Sequence, residues 1–149
     1  MSTIYLQSFF TKPKGIPLSV ARWQPKHYNY KSIPYLVPKK ENGSDIKHVT
    51  PEEYLKEYCK TLKRNWSSIE KMISNLKNDN REFTLCCWCN KSRQRQYKKL
   101  FCHTILIGYL IEYLAPEIKV IYLEGRDNPV WSKEEFYNEL NKLNKGELN

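Results

Sequence analysis

FTLCCWCNKSRQRQYKKLFCHTILIGYLIEYLAPEIKVIYLE, residues 83–124, carries the alternation of element types that decides the fold. FTLCCW (83–88) is an apolar run of strand length, and IKVIYLE (118–124) is a second, rich in β-branched residues. Between them LFCHTILIGYLIEYL (100–114) is apolar on nearly every face and stops before Pro116, as a buried helix does. Strand, buried helix, strand is the order of a βαβ unit, whose strands lie parallel in one sheet with a right-handed crossover.

Working outward, Ser132 with Glu135 as its capping partner starts a last helix that buries Phe136, Leu140 and Leu143. Upstream, Thr50-Pro51-Glu52-Glu53 reads as an N-cap, a proline at the first helical position and a capping-box glutamate. Leu55, Cys59, Leu62, Trp66, Ile69, Ile73 and Leu76 then recur every three or four residues, one buried helical stripe with a break near 65–68. Cys59 lies on that stripe and reads as core. Asn78-Asp79-Asn80 closes the helical region.

TIYLQ (3–7) and PLSVAR (17–22) are short strand-type segments around a loop with Lys12-Pro13-Lys14-Gly15, and they join the same sheet. Residues 24–49 hold Pro25, Pro34, Pro38 and Asn42-Gly43, too much punctuation for a regular element, and form a long connection. The expectation is a single α/β, Rossmann-like domain over residues 1–149, with a mostly parallel sheet flanked by helices. These patterns do not fix the strand order.

A chain of 149 residues can bury a core without disulfide or metal staples. No run of about eighteen apolar residues exists, and MSTIYLQSFF has no secretory n- and h-region, so the expectation is a cytoplasmic protein without membrane contact. Five cysteines, four of them within residues 86–102, suit a reducing compartment better than a disulfide framework. Lys and Arg number 25 against 16 acids, a net charge of +9 that attracts polyanions. The excess is uneven: residues 1–50 hold eight basic residues against two acids, and residues 83–111 hold five against none. Much of that charge reads simply as a solvated face.

Ligands of open α/β sheets bind beyond the carboxyl ends of the strands, which is where Cys87, Cys89 and residues 90–101 fall. Alternation puts Cys87 and Cys89 on one face, where they can converge, and Cys86 on the other. Cys102 and His103 would complete four soft ligands, Cys87, Cys89, Cys102 and His103, for zinc. The spacing lacks the paired C-x-x-C of zinc ribbons, so packing of the cysteines as small hydrophobes is the preferred reading and the cofactor is left open. A helix starting near Leu100 puts Cys102 in its first turn. A start after Ser92 would carry Cys102 roughly 15 Å along the helix and away from Cys89. The first is preferred, because the basic segment reads as a loop.

Cys87-x-Cys89, the loop, Cys102-His103 and the apolar helix, with SVARWQPKHYNY (19–30) before them, resemble the family called domain of unknown function 488. That resemblance implies a Rossmann-like domain and matches Cys87, Cys89, Cys102, His103 and Arg22 to the family's motif positions. The family usually has an arginine after its Cys-His pair, where this chain has Thr104. Lys91, Arg93, Arg95, Lys98 or Lys99 would have to supply that charge. The resemblance implies no reaction.

Three functions fit these residues. A phosphate-bearing ligand, nucleotide or nucleic acid, would be held, and in the fuller form of this reading processed, by Arg22, His103, Lys91, Arg93, Arg95, Lys98 and Lys99 with stacking on Trp23, Tyr28 and Tyr30. A thiol-dependent enzyme would use Cys89 or Cys102 as nucleophile with His103 as base. A protein-binding adaptor or inhibitor would display the 24–49 connection. Whether the chain is an enzyme is left open; no Walker loop, Gly-rich dinucleotide turn or His-Glu metalloprotease motif is present.

Overall fold

Aliphatic side chains at every second position give Thr3–Ser8 (β1) and Glu82–Cys87 (β4) two distinct faces, and the two strands pair in parallel with Ile4 opposite Phe83 and Ser8 opposite Cys87. The computed structural model describes residues 1–46, 50–89, 94 and 98–143. Among them are three more strands, Ile16–Ser19 (β2), Lys31–Ser32 (β3) and Lys119–Tyr122 (β5). Four α-helices complete the fold: Pro51–Arg64 (α1), Trp66–Lys77 (α2), His103–Leu114 (α3) and Lys133–Lys142 (α4). The sheet is parallel throughout, in the order β3-β2-β4-β1-β5. The expected βαβ unit is therefore present, with β1 inserted between its two strands.

Helix boundaries follow local chemistry. Thr50 Oγ1 accepts from the Glu53 amide at 3.1 Å to start α1, and Ser132 with Glu135 makes a reciprocal capping box at α4. The long stripe breaks at Asn65, whose Nδ2 donates to the Thr61 and Tyr35 carbonyls. β3 is a correction to the sequence reading, which placed no regular element in residues 24–49. Two residues suffice there because β2 supplies the backbone partners, and a 3-10 turn at Pro34–Leu36 follows at once.

Ile4, Leu6, Phe83, Leu85 and Cys87 share one face, and buried residues of all four helices join their cluster. α3 lies closest: His103 through Ile111 are all buried, and a Cβ on Gly108 would come within 2.6 Å of Leu6 Cδ1. The opposite face carries Tyr5, Gln7, Thr84 and Cys86. It is crossed by the β1–β2 segment, with Gln7 Nε2 donating to Thr11 O at 2.6 Å and the Gly15 amide donating to Thr84 Oγ1 at 2.9 Å. The chain thus leaves β1 toward one face and leaves the adjacent β4 toward the other. That divergence opens a crevice at the carboxyl ends of β1 and β4, the place where ligands of such sheets sit. No helix among the described residues is long and apolar enough to cross a membrane.

Candidate functional site

Cys87 is the last residue of β4, Cys89 follows two residues on, and Cys102 is the N-cap of α3, so strand end and helix start deliver three sulfurs to that crevice. The three Sγ atoms lie within 4.8 Å of one another, and Cys87 and Cys102 are in contact at 2.9 Å. All five cysteines are free thiols. Cys87 and Cys102 are buried, while Cys89 is half-buried.

A cation sits among them. Arg126, on the turn after β5, is 1% exposed. Its Nη2 donates to Cys87 Sγ at 3.0 Å and to the Cys89 carbonyl at 2.7 Å, and lies 3.8 Å from Cys102 Sγ. Its Nε donates to Thr104 Oγ1 at 2.7 Å, and Thr104 Oγ1 is 3.1 Å from Cys102 Sγ. Glu124, 4.0 Å from Arg126 Nη1, accepts from both the amide and the hydroxyl of Ser8 at the end of β1. The backbone fixes this meeting: Leu100 N donates to Asn128 O and Val130 N to Leu100 O, both at 3.0 Å, which clips the approach to α3 against the turn carrying Arg126.

The electrostatic result is asymmetric. Burial works against a charged Cys102, yet hydrogen bonds from Cys87 and Cys89, the Arg126 guanidinium and the Thr104 hydroxyl together hold its thiol well below the ordinary value. Cys87 is pushed up by burial and by its bond to Cys102, and Cys89 by its bonds to Cys102 and Cys87 and then by burial. One negative charge in the cluster therefore belongs on Cys102, with its neighbours as donors.

His103 does not join the sulfurs. Its Nε2 lies 2.8 Å from the Val20 carbonyl, which can only accept, so this nitrogen carries a proton, and the ring packs edge-on against Tyr58. Burial depresses its pKa, against the opposing influence of Cys87 and the Val20 carbonyl. The four-ligand set drawn from sequence thus converges at Cys87, Cys89 and Cys102 and not at His103, because the first residue of α3 points toward β2.

Beside the cluster a pocket of about 280 Å³ is lined by Arg22, Trp23, Asp45, Tyr54, Trp88 and Cys89, with Cys87 and His103 at its wall. Arg22 therefore shares a rim with Cys89 and His103, but its Nη1 pairs with Asp45 at 2.5 Å and its Nη2 donates to Gly43 O. Trp23 is 72% exposed, and its carbonyl accepts from Trp88 Nε1. Tyr28 and Tyr30 pack instead with Phe9 on the far face of the sheet, where Tyr28 Oη donates to Phe9 O. Lys98 and Lys99 are exposed, and Lys91, Arg93 and Arg95 lie outside the described residues.

Arg126 is the residue that sequence reasoning missed. Its position soon after a strand puts it on the carboxyl side of the sheet, but nothing local to residues 123–126 aims it at the cysteines. Thr104, directly after Cys102-His103, meets Arg126 through its hydroxyl. Fold and site together define an α/β protein with a sulfur–guanidinium cluster at the carboxyl rim of a parallel sheet. No protein-family model, curated protein or solved structure matches the chain.

Proposed function

We propose that the rim pocket binds a phosphate-bearing ligand with an aromatic base, a nucleotide or a nucleic-acid strand. The observation that carries this reading is Trp23, a large indole left 72% exposed in a pocket wall next to Arg22. An exposed indole offers a stacking face to any base, and a guanidinium one residue away offers the phosphate fork. A volume of about 280 Å³ admits a single base with its sugar, and the net charge of +9 favours encounter with polyanions. Titrating tryptophan fluorescence with nucleosides, nucleotides and short single strands over a range of salt tests it. Saturable quenching by the phosphorylated ligands, weakened in Trp23→Ala, is the expected result; no binding even at low salt removes the reading.

A second reading, thiol-dependent catalysis, is favoured by the placement of Cys102 Sγ near Arg126 and Thr104 Oγ1. In it Cys102, whose thiol is held low by its neighbours' hydrogen bonds, Arg126 and Thr104, is the nucleophile, and the half-buried Cys89 stands between it and the pocket. Alkylation by a small haloacetamide should then fall on Cys102, be faster than that of a free model thiol at neutral pH, and be slow in Cys102→Ser. Equal slow rates in both proteins exclude it.

A further inference from the structure

We infer that Cys87, Cys89 and Cys102 form a three-thiolate site for a thiophilic divalent cation of the zinc type, with its open position facing the rim pocket. The argument begins with convergence: a strand end, the turn after it and a helix N-cap, fifteen residues apart at the extremes, bring three sulfurs within 4.8 Å of one another. Three sulfurs at zinc–sulfur bond lengths of about 2.3 Å in a tetrahedron stand about 3.8 Å apart. The 2.9 Å contact between Cys87 and Cys102 and the 4.8 Å outer limit bracket that spacing, so shifts of about 1 Å or less complete the geometry.

Charge selects the ion. Three thiolates around a dication leave one net negative charge, which faces the buried guanidinium of Arg126, donating to Cys87 Sγ at 3.0 Å, while Glu124 on the other side of that guanidinium is met by the Ser8 amide and hydroxyl. A monocation would leave one more negative charge on the sulfurs beside that single guanidinium, so a dication suits the cluster better. Arg126 and Thr104 are then the outer donors that orient ligating sulfurs, as second-shell groups do. His103 lies outside the group of converging ligand atoms, and the pocket beside Cys89 leaves the fourth position to water or to a bound ligand. Soft donors of this number favour zinc over calcium, magnesium or manganese.

The test uses the reduced full-length chain and cobalt(II) as a spectroscopic stand-in. One equivalent per chain is expected, with a sulfur-to-cobalt charge-transfer band in the near ultraviolet that zinc abolishes by displacement. Cys87→Ser, Cys89→Ser and Cys102→Ser should each weaken binding about tenfold or more. Cys59→Ser and Cys86→Ser, which alter sulfurs outside the cluster, should leave it unchanged. X-ray absorption at the zinc edge of the wild-type protein, which needs no variant to fold, should show three sulfurs at about 2.3 Å. A zinc shell of nitrogen and oxygen alone, no charge-transfer band, or a band that survives loss of Cys102 overturns the inference.

Discussion

Arg126 Nε donates to Thr104 Oγ1 at 2.7 Å, joining the turn after β5 to the first turn of α3 directly over the Cys87–Cys102 contact. One buried guanidinium thus holds two elements and two sulfurs, while its remaining donors go to the Leu123 and Cys89 carbonyls. An ion so deeply buried is stabilising only while its partners stay in place.

Removing that ion is accordingly costly. Arg126→Met leaves Cys87 Sγ, Thr104 Oγ1 and the Cys89 carbonyl without that donor and Glu124 without its cation, and should lower unfolding free energy by about 3–5 kcal/mol. Arg126→Lys should recover only part of the loss, since an ammonium cannot reproduce the planar fork that serves Thr104, Cys87 and the Cys89 carbonyl together. Urea unfolding of the three proteins measures both effects; a methionine variant as stable as wild type contradicts this account.

Stability should fall on the alkaline side. Burial, then Glu139, raises the Cys59 thiol, and burial raises the Tyr58 phenol well above its usual value, with Tyr58 Oη donating to Leu36 O at 2.6 Å. A group whose folded pKa is raised contributes stability that is complete below its unfolded value and lost as pH climbs toward the folded one. The unfolding midpoint should therefore decline above about pH 8.5, where unfolded thiols ionise, and more steeply above about pH 10, where phenols follow. Cys59→Ala should make the first part of that decline shallower, and a pH-independent midpoint from neutrality upward would contradict the burial of these groups.

Glycine substitutions separate two kinds of close approach. A Cβ on Gly15 would lie 2.6 Å from the carbonyl carbon and oxygen of Glu82 and 2.8 Å from Phe83 N, all backbone, as the β1–β2 segment crosses β4. A Cβ on Gly108 meets Leu6 Cδ1 and the Tyr122 ring, which are ends of side chains, and alanine recovers about 1 kcal/mol of helix propensity there. Gly15→Ala should cost about 1–3 kcal/mol or more, and Gly108→Ala clearly less. Thermal unfolding of the pair ranks them; the reverse order would show that the crossing segment yields more easily than the α3 interface.

What was legible in the chain was what local pattern encodes. Residues 83–124 announced strand, buried helix and strand because their apolar runs differ in length and β-branching, and the Ser132–Glu135 cap is written within four residues. Cys87, Cys89 and Cys102 could be grouped because the carboxyl end of a strand and the start of the next helix are neighbours by construction. Arg126 could not, since its place depends on the Leu100–Pro129 bridge, a contact between segments that share no periodicity. The orientation of His103 toward Val20 likewise depends on how β2 sits beside β4, which the sequence leaves open. β3 escaped notice because two residues carry too little pattern to register.

The pairing of Arg22 with Asp45 gives the most direct handle on the pocket. The two side chains are 40% and 64% exposed, so their ion pair is worth at most about 1 kcal/mol and its loss barely affects folding. Both residues line the pocket, so under the proposed function Asp45 would compete with an incoming phosphate for the same guanidinium and add a like charge beside it. Asp45→Asn removes both penalties, and nucleotide affinity should rise by about threefold to tenfold, the equivalent of about 1 kcal/mol. Arg22→Gln should lower it, and the double variant should resemble Arg22→Gln alone, because without the guanidinium Asp45 has nothing to compete for. Affinities from fluorescence titration at fixed salt, read beside unfolding midpoints, decide the matter: Asp45→Asn that tightens binding equally with and without Arg22 would assign the gain to general charge rather than to a released arginine.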